Sequence, residues 1–277
     1  MKAICLSFFY LALLTGASAQ ILIGPEAGGN LSWTRFDDRD LRSQYKVTPI
    51  IGYSAGAHLG FRVQKRYFLH LSLIYSTKGR LIEGKTTNVL NHAEGLVDRV
   101  RLSYIEMPII YAIDFKGKLG GNKEFKYNIG AGPLVSYWLG GVGYASSNEI
   151  REDVKGGLID YHVAFKRGNP STSEMTVQSA NRLQLGLNVA GSLIFEPIPS
   201  RRIMLTVRYE VGGTYLTKNN NAGTFNGTFY QQPLQSRNKG LRVSVAYLFD
   251  LKNDQRKKGK SVSDKKKGKN ITIRKRR

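Results

Sequence analysis

Apolar and polar side chains alternate along much of this sequence, most regularly over Gly240–Leu251, GLRVSVAYLFDL. One parity of this stretch is entirely apolar: Leu241, Val243, Val245, Tyr247, Phe249 and Leu251. The other parity is mostly polar. Because a β-strand directs successive side chains to opposite faces, the pattern predicts a strand with one apolar face and one polar face.

Seven earlier stretches show the same alternation. With the last one they predict eight strands: Ile23–Trp33, Gly52–Gln64, Tyr67–Lys78, Arg101–Lys116, Phe125–Leu139, Arg182–Glu196, Ile203–Tyr215 and Gly240–Leu251. Three connections between them are short: Lys65-Arg66, Gly117–Glu124 and Pro197–Arg202. Four are long: Thr34–Val47, Gly79–Val97, Gly140–Met175 and Leu216–Arg237.

Long and short connections alternate, as they do in bacterial outer-membrane barrels with short periplasmic turns and longer external loops. The sequence therefore predicts an all-β fold, an eight-stranded antiparallel up-and-down transmembrane β-barrel whose apolar face meets lipid. The alternative is a soluble, lipocalin-like barrel, which would turn the apolar parity inward and the charged parity outward.

The first residues predict export. Lys2 precedes an apolar run, Ile4–Leu14, and Ala17-Ser18-Ala19 has the small residues of a cleavage site. We interpret residues 1–19 as a signal peptide, residues 20–251 as the barrel, and the cell outer membrane as the destination. The only cysteine, Cys5, lies in the leader, so the mature chain is expected to contain no disulfide and no thiolate metal site.

The formal net charge of +22 is unevenly distributed. Residues 252–277 hold 13 Lys or Arg against 2 Asp or Glu, and such a segment is expected to be a disordered basic periplasmic tail. Candidate contact residues in the tail are Arg256, Lys257, Lys258, Lys265, Lys266 and Lys267.

The expected partners of the protein are outer-membrane lipid and lipopolysaccharide. For the tail they are anionic lipid headgroups, peptidoglycan carboxylates or an acidic protein such as one of a secretion complex, and a solvated tail without a specific partner remains the alternative. Nucleic acid is not expected, since the chain is exported.

Eight charged side chains share the inward parity of the predicted barrel: Glu26, Arg62, Lys78, Glu106, Arg182, Arg208, Glu210 and Arg242. Eight strands enclose a space that side chains can fill. Buried ions must be paired, because an unpaired one costs several kcal/mol. We therefore predict a structural ion-pair network in the lumen. A selectivity lining, the alternative, would need a wider barrel.

Candidate catalytic groups are few. His58 and His70 have inward parity on neighbouring strands, where they could meet a serine such as Ser72, but the sequence does not place a nucleophile, a base and an orienting group together. Interior hydrogen-bonded histidines are the favoured interpretation. The run Asp37-Asp38-Arg39-Asp40 lacks the spacing and glycine of a calcium loop. No catalytic residue, cofactor or metal is predicted.

Four segments, at residues 24–33, 50–79, 102–117 and 127–141, resemble the PorT-like outer-membrane β-barrel family of Bacteroidetes. The most specific parts are Tyr104–Pro108 (YIEMP) and Thr77–Gly79 (TKG). The resemblance implies a small eight-stranded barrel, and the namesake of the family takes part in type IX protein secretion. The basic tail departs from the family pattern, in which the chain stops near the terminal aromatic strand.

These observations favour a non-enzymatic outer-membrane barrel, an accessory of type IX secretion or of envelope organisation that acts through its surface loops and its tail. Two alternatives remain open at this point. One is an outer-membrane lipid-modifying enzyme, an acyltransferase or deacylase, and the other is a small-solute pore.

Overall fold

The computed structural model describes residues 20–85, 95–119, 123–153, 155–165, 173–198, 200–218, 223–225, 231–232 and 234–251. Two short helices occur there, α1 (Arg39–Gln44) and α2 (Asn148–Asp153). The strands are β1 (Ile21–Phe36), β2 (Tyr45–Arg62), β3 (Tyr67–Gly84), β4 (Val97–Leu119), β5 (Lys123–Ser146), β6 (Ile159–Ala164), β7 (Glu174–Val177), β8 (Leu183–Ile198), β9 (Arg201–Gly212), β10 (Gly223–Phe225), β11 (Gln231–Gln232) and β12 (Ser236–Asp250).

Eight of these strands close into a ring. Successive pairings run from β1 through β2, β3 and β4 to β5, which then pairs with β8, and β8, β9 and β12 return to β1. Every pairing in the ring is antiparallel. The prediction of an all-β, antiparallel barrel is confirmed, and closure of the ring satisfies the strand edges that an open sheet would leave unpaired.

The apolar parity of the ring faces outward. Leu187 is 67% exposed and Tyr209 is 42% exposed, whereas Arg208 and Arg242 are buried in the interior. The prediction from alternation is confirmed. The lipocalin-like alternative is contradicted, because it would have enclosed the apolar side chains and exposed the arginines.

The two ends of the barrel differ. At the turn end, β2–β3, β4–β5 and β8–β9 are joined by short connections, and at the loop end the connections are long. Several strands extend further toward the loop end than alternation predicted: β1 reaches Phe36, β3 reaches Gly84 and β5 reaches Ser146. The predicted loop boundaries there were wrong by several residues.

The longest predicted loop, Gly140–Met175, contains regular structure. Beyond the Tyr137–Leu183 pair, β5 no longer pairs with β8, and its continuation pairs with β6, for example Ala145 with Ile159. The sheet then continues through a parallel β6–β7 pairing to β10 and β11. These strands lie outside the ring and are only two to six residues long. In β6, buried Tyr161 and Val163 alternate with exposed Asp160 and His162, but the pattern is too short to predict a strand from the sequence.

Apolar clusters close the lumen on both sides. At the loop end, β4, β5, β6 and β7 and the segments before β12 contribute Val100, Leu102, Tyr104, Trp138, Ala145, Tyr161, Val163, Met175, Val177, Leu216 and Leu234. Toward the turn end lie Leu22, Phe68, Ile194, Met204, Ala246 and Leu248, with a smaller group of Ile110, Ala112 and Ala190. Polar side chains occupy the middle of the barrel.

No helix among the described residues has the length and apolar character needed to cross a membrane.

Candidate functional site

Six charged side chains lie together in the middle of the lumen. Three are acidic and three are basic, all at most 6% exposed: Glu26, Glu106, Glu210, Lys78, Arg208 and Arg242. Their strands are β1, β3, β4, β9 and β12, so the cluster spans the ring rather than one wall. The formal charges of the cluster balance, as burial of ions requires.

Glu106 is the most connected carboxylate. It accepts a hydrogen bond from Arg242 Nη2 and lies 2.5 Å from Lys78 Nζ through Oε1. Ser76 Oγ donates to Glu106 Oε2 at 2.6 Å, and Ser136 Oγ donates to Oε1 at 3.1 Å. Two cations and two hydroxyls thus surround a carboxylate that is completely buried.

Glu210 connects the two sides of the cluster. Lys78 Nζ donates to its Oε2 at 2.6 Å, and Arg242 Nε lies 3.2 Å from Oε1. Arg208 Nη1 is 4.0 Å from the same Oε1. Lys78 and Arg242 each contact both Glu106 and Glu210, so the four groups form a closed charged ring.

Glu26 anchors a second, hydrogen-bonded part of the network. Arg208 Nη2 lies 3.5 Å from its Oε1, to which Ser244 Oγ donates at 2.8 Å. On the other carboxylate oxygen, Ser72 Oγ donates at 2.7 Å and His58 Nδ1 lies at 3.1 Å.

The histidines continue the network toward the turn end. His58 Nε2 is 3.0 Å from His70 Nδ1, and Asn128 Nδ2 is 3.4 Å from His70 Nε2. Ser72 Oγ also lies 3.0 Å from His58 Nδ1. The serine and both histidines that the sequence singled out therefore meet, and Glu26 joins them.

A serine, a histidine and a carboxylate are the groups of a nucleophilic centre, but their surroundings matter here. Ser72, His58, His70 and Glu26 are all at most 6% exposed, enclosed by the ring of strands. The same nitrogen, His58 Nδ1, faces both Ser72 and Glu26, so the carboxylate does not orient the ring from its far side as in a hydrolase triad. The arrangement satisfies buried polar groups and gives a substrate no access.

Arg62 and Arg182, predicted in the same network, lie elsewhere. Arg62 is exposed at the end of β2, where its guanidinium packs over Phe68 with 5.0 Å to the ring centroid. Arg182 precedes β8 at the loop end and donates through Nε to the backbone oxygen of Trp138 at 3.2 Å. Inward parity is common to all eight predicted residues, but these two lie beyond the central section of the strands. Without these two arginines, the central network contains three acidic and three basic side chains.

Sequence reasoning missed the hydroxyl partners of the carboxylates, Ser76, Ser136 and Ser244. It also missed Arg80, buried near the loop end, which donates through Nη1 to Ser236 Oγ at 3.0 Å. All four share the inward parity of their strands. They could have been found by searching each predicted strand for polar residues that have inward parity and lie near a predicted lumen charge.

The two motifs that carry the family resemblance build this interior. Within Tyr104–Pro108, Glu106 supplies the central carboxylate, and the ring of Tyr104 stacks on Trp138 with 6.4 Å between centroids. Within Thr77–Gly79, Lys78 supplies a cation, and the backbone N–H of Gly79 donates to Ser32 Oγ at 2.7 Å.

Little free space remains beside the network. The cavity next to Lys78, Glu106 and Glu210 measures about 20 Å³, far below the volume of a small-molecule site. Together with the apolar clusters on both sides, the network fills much of the described part of the barrel interior.

Two expectations concern other parts of the chain. Among the described residues, no group of three or more His, Asp, Glu or Cys is placed to hold a metal ion. The predicted signal peptide (1–19) and the tail residues Arg256, Lys257, Lys258, Lys265, Lys266 and Lys267 lie outside the described residues, so the structure does not test them.

Three solved structures match most of this chain at low sequence identity and low TM-score. Neisserial surface protein A is 14% identical, with a TM-score of 0.35 over 83% of this chain and 97% of that one. Ail of Yersinia pestis, in complex with the heparin analogue sucrose octasulfate, is 10% identical, with a TM-score of 0.33 over 83% and 99%. The outer-membrane protease OmpT from Escherichia coli is 10% identical, with a TM-score of 0.27 over 84% and 96%.

No curated protein matches the sequence. The family model described as outer membrane protein beta-barrel domain matches residues 17–217, which is well over half of the chain. The closed antiparallel ring with its apolar exterior is the structure that such a match requires. The chain belongs to the outer membrane protein beta-barrel domain family, and its place in the cell is the outer membrane.

Proposed function

We propose that this protein is a non-enzymatic barrel that acts by binding partners at its two ends, as an accessory of type IX protein secretion or of envelope organisation. The observation that carries the proposal is the filled lumen. A charge-balanced network occupies its middle, and apolar clusters lie above and below. Because the described part of the lumen is filled and its serine and histidines are buried, we assign the function to the surfaces.

Two surfaces extend from the ring. At the loop end, β6, β7, β10 and β11 form a side sheet beyond the membrane-spanning section. At the turn end, β12 finishes at Asp250, and the basic segment 252–277 follows it in the sequence. Short turns are periplasmic in this class of barrel, so the tail starts on the periplasmic side, where it meets peptidoglycan and periplasmic parts of secretion complexes. The PorT-like segments support the secretion role.

The experiment uses cells that lack the protein, complemented with the full chain or with residues 1–251. We expect the full chain to restore surface display of type IX cargo and to co-purify with secretion-machinery proteins or peptidoglycan, and the truncated chain to lose these interactions. The matched control replaces all 13 Lys and Arg of the tail with Gln at unchanged length.

If charge carries the interaction, the Gln-substituted tail behaves like the truncation. Loss of peptidoglycan binding with normal cargo display would assign the protein to envelope organisation and reject the secretion role. Identical co-purification and cargo display with all three chains would overturn the proposed action of the tail.

One observation favours a second candidate, a lipid-modifying enzyme. The polar side-chain atoms of Ser72, His58 and Glu26 lie within 3.1 Å of one another. For this activity the barrel wall would have to open between β2 and β3, because Ser72, His58 and Glu26 all face the closed interior. The filled lumen supports the binding role over this one.

A further inference from the structure

A basic hollow opens at the turn end of the barrel. Its volume is about 480 Å³, and its lining consists of six basic side chains, one aspartate and one phenylalanine: Arg62, Lys65, Arg66, Lys116, Lys126, Arg202, Asp114 and Phe115. They come from the β2–β3 turn, the end of β4 and the starts of β5 and β9, so four separate segments of the chain converge on it.

Most of the positive charge in this hollow is uncompensated. Two carboxylates offset two of the six positive charges. Asp114 lines the hollow near Arg62 and Arg202, and Glu196 contacts two cations, with Oε2 2.6 Å from Lys126 Nζ and Oε1 2.9 Å from Arg202 Nε. The other four basic side chains form no ion pair with a carboxylate of the described residues: Arg62, Lys65, Arg66 and Lys116. An anion of matching size would therefore be attracted to the hollow.

Two of the guanidinium groups are held in place by packing. Arg62 and Arg202 lie over the ring of Phe68, with 5.0 Å and 5.9 Å to its centroid. Phe68 is buried in the apolar cluster below the lumen network, and Arg202 is only 8% exposed. The base of the hollow is thus preformed, which reduces the entropy that an anion must overcome on binding.

The hollow also reaches the lipid side of the barrel wall. Phe115 lies on the outward parity of β4, is 37% exposed and stacks on Tyr127 with 5.3 Å between centroids. The next residue, Lys116, belongs to the inward parity. Basic side chains and the lipid-facing ring of Phe115 therefore lie side by side at the edge of the hollow.

We propose that this hollow binds the phosphate group of an anionic phospholipid of the inner leaflet, whose acyl chains run along Phe115. A free anion would use the cations but would gain nothing from the exposed ring. Lys and Arg near an anionic membrane surface each add to its attraction, and the turn end faces the inner leaflet. This inference does not depend on the proposed role in secretion.

The test uses the purified full chain in micelles of an uncharged detergent. Native mass spectrometry and calorimetry measure binding of dihexanoyl phosphatidylglycerol, dihexanoyl phosphatidylcholine and inorganic phosphate. We expect one saturable phosphatidylglycerol site, with binding of the other two probes at least tenfold weaker. Arg62→Gln combined with Lys65→Gln and Arg66→Gln should weaken the phosphatidylglycerol site at least tenfold.

The matched control removes the same number of charges from exposed positions at the loop end, Arg39→Gln, Arg99→Gln and Lys155→Gln, and leaves the tail intact. Its affinity should stay within twofold of that of the unmodified chain. If the triple substitution at the turn end prevents folding, judged by the heat-dependent gel shift of barrels, Lys65→Gln with Lys116→Gln replaces it, since both side chains are exposed.

Three results would overturn the proposal. Equal losses in the two charge variants would assign binding to net charge or to the tail. Inorganic phosphate binding as tightly as phosphatidylglycerol would make this a free-anion site. Absence of saturable binding would show that the hollow has no such ligand.

Discussion

Arg242 and Glu106 form an ion pair through the interior of the barrel although 136 residues separate them along the chain. Arg242 lies on β12 and Glu106 on β4, which face each other across the ring of eight strands. An arginine and a glutamate can meet in this way only where the lumen is narrow, as it is with eight strands. The pair therefore braces opposite walls directly.

Replacing Arg242 with Met should destabilise the barrel strongly. The substitution leaves three buried carboxylates with two cations, and breaking a buried ion pair costs about 3–5 kcal/mol. Urea unfolding in phospholipid vesicles measures the free energy of unfolding. The control is Lys46→Met, which breaks an exposed pair with Glu83 (3.0 Å), where we expect a loss of less than about 1 kcal/mol.

A double variant tests whether the penalty comes from the unbalanced charge. Adding Glu106→Gln to Arg242→Met restores the balance of acids and bases, so the double variant should lose less stability than the sum of the two single variants. Strict additivity, or equal losses for Arg242→Met and Lys46→Met, would show that the network does not brace the barrel.

Arginine at Val245 should be costly because this side chain projects from β12 toward lipid. Val245 is 49% exposed in the structure, and its neighbours across the strands are Ala27 and Leu205. An arginine facing the middle of the bilayer costs about 2–4 kcal/mol in an outer-membrane barrel. Urea unfolding in phospholipid vesicles again measures the change in the free energy of unfolding.

Leu158→Arg is the matched control for Val245→Arg. Leu158 is 52% exposed but lies in the connection before β6, beyond the ring. We expect little change there. A similar cost at both positions would argue against the assignment of the outward face to lipid.

Replacing Ser72 with Ala and His58 with Gln should leave cellular lipid A unchanged, because both side chains serve as interior hydrogen-bonding groups. Mass spectrometry of lipid A from cells expressing the unmodified chain, the double variant or no chain makes the comparison. The variant should unfold at lower denaturant concentration, since Glu26 loses two of its contacts. A lipid A species that depends on the unmodified chain and disappears in the variant would establish the enzyme instead.

Planar bilayers should show no channel activity for the folded chain. The network and the two apolar clusters block the axis, and the cavity beside Glu106 measures about 20 Å³. Conductance recordings at both polarities check this, with a general porin as the positive control. Stepwise openings of constant size would refute the filled lumen.

Alternation of apolar and polar residues was enough to predict the all-β class, the outward apolar face and the inward position of most of the lumen charges. The reason is local: each barrel strand separates lipid from interior, so every second residue reports the same environment. Val243 and Arg242, neighbours in the chain, illustrate it, since one is exposed and the other completely buried. The soluble, lipocalin-like barrel is contradicted by the same two residues, because it would have buried Val243 and exposed Arg242.

The pattern failed where strands leave the ring. The section of β5 beyond Tyr137, and β6 and β7 after it, pair with one another outside the barrel, and their side chains no longer divide between lipid and lumen. β6 alternates over only six residues, and β7 is four residues long with three consecutive buried side chains, so the segment was predicted to be a loop.

Which charges meet depended on closure of the ring. Parity places Arg62, Arg182 and Arg242 on the same inward face, but it says nothing about their height along the barrel or about the strand opposite. Only the register of the closed sheet brings Arg242 to Glu106 and leaves Arg62 at the turn end and Arg182 at the loop end. The face of a side chain follows from its own strand, whereas its partner is set by the geometry of all eight strands together.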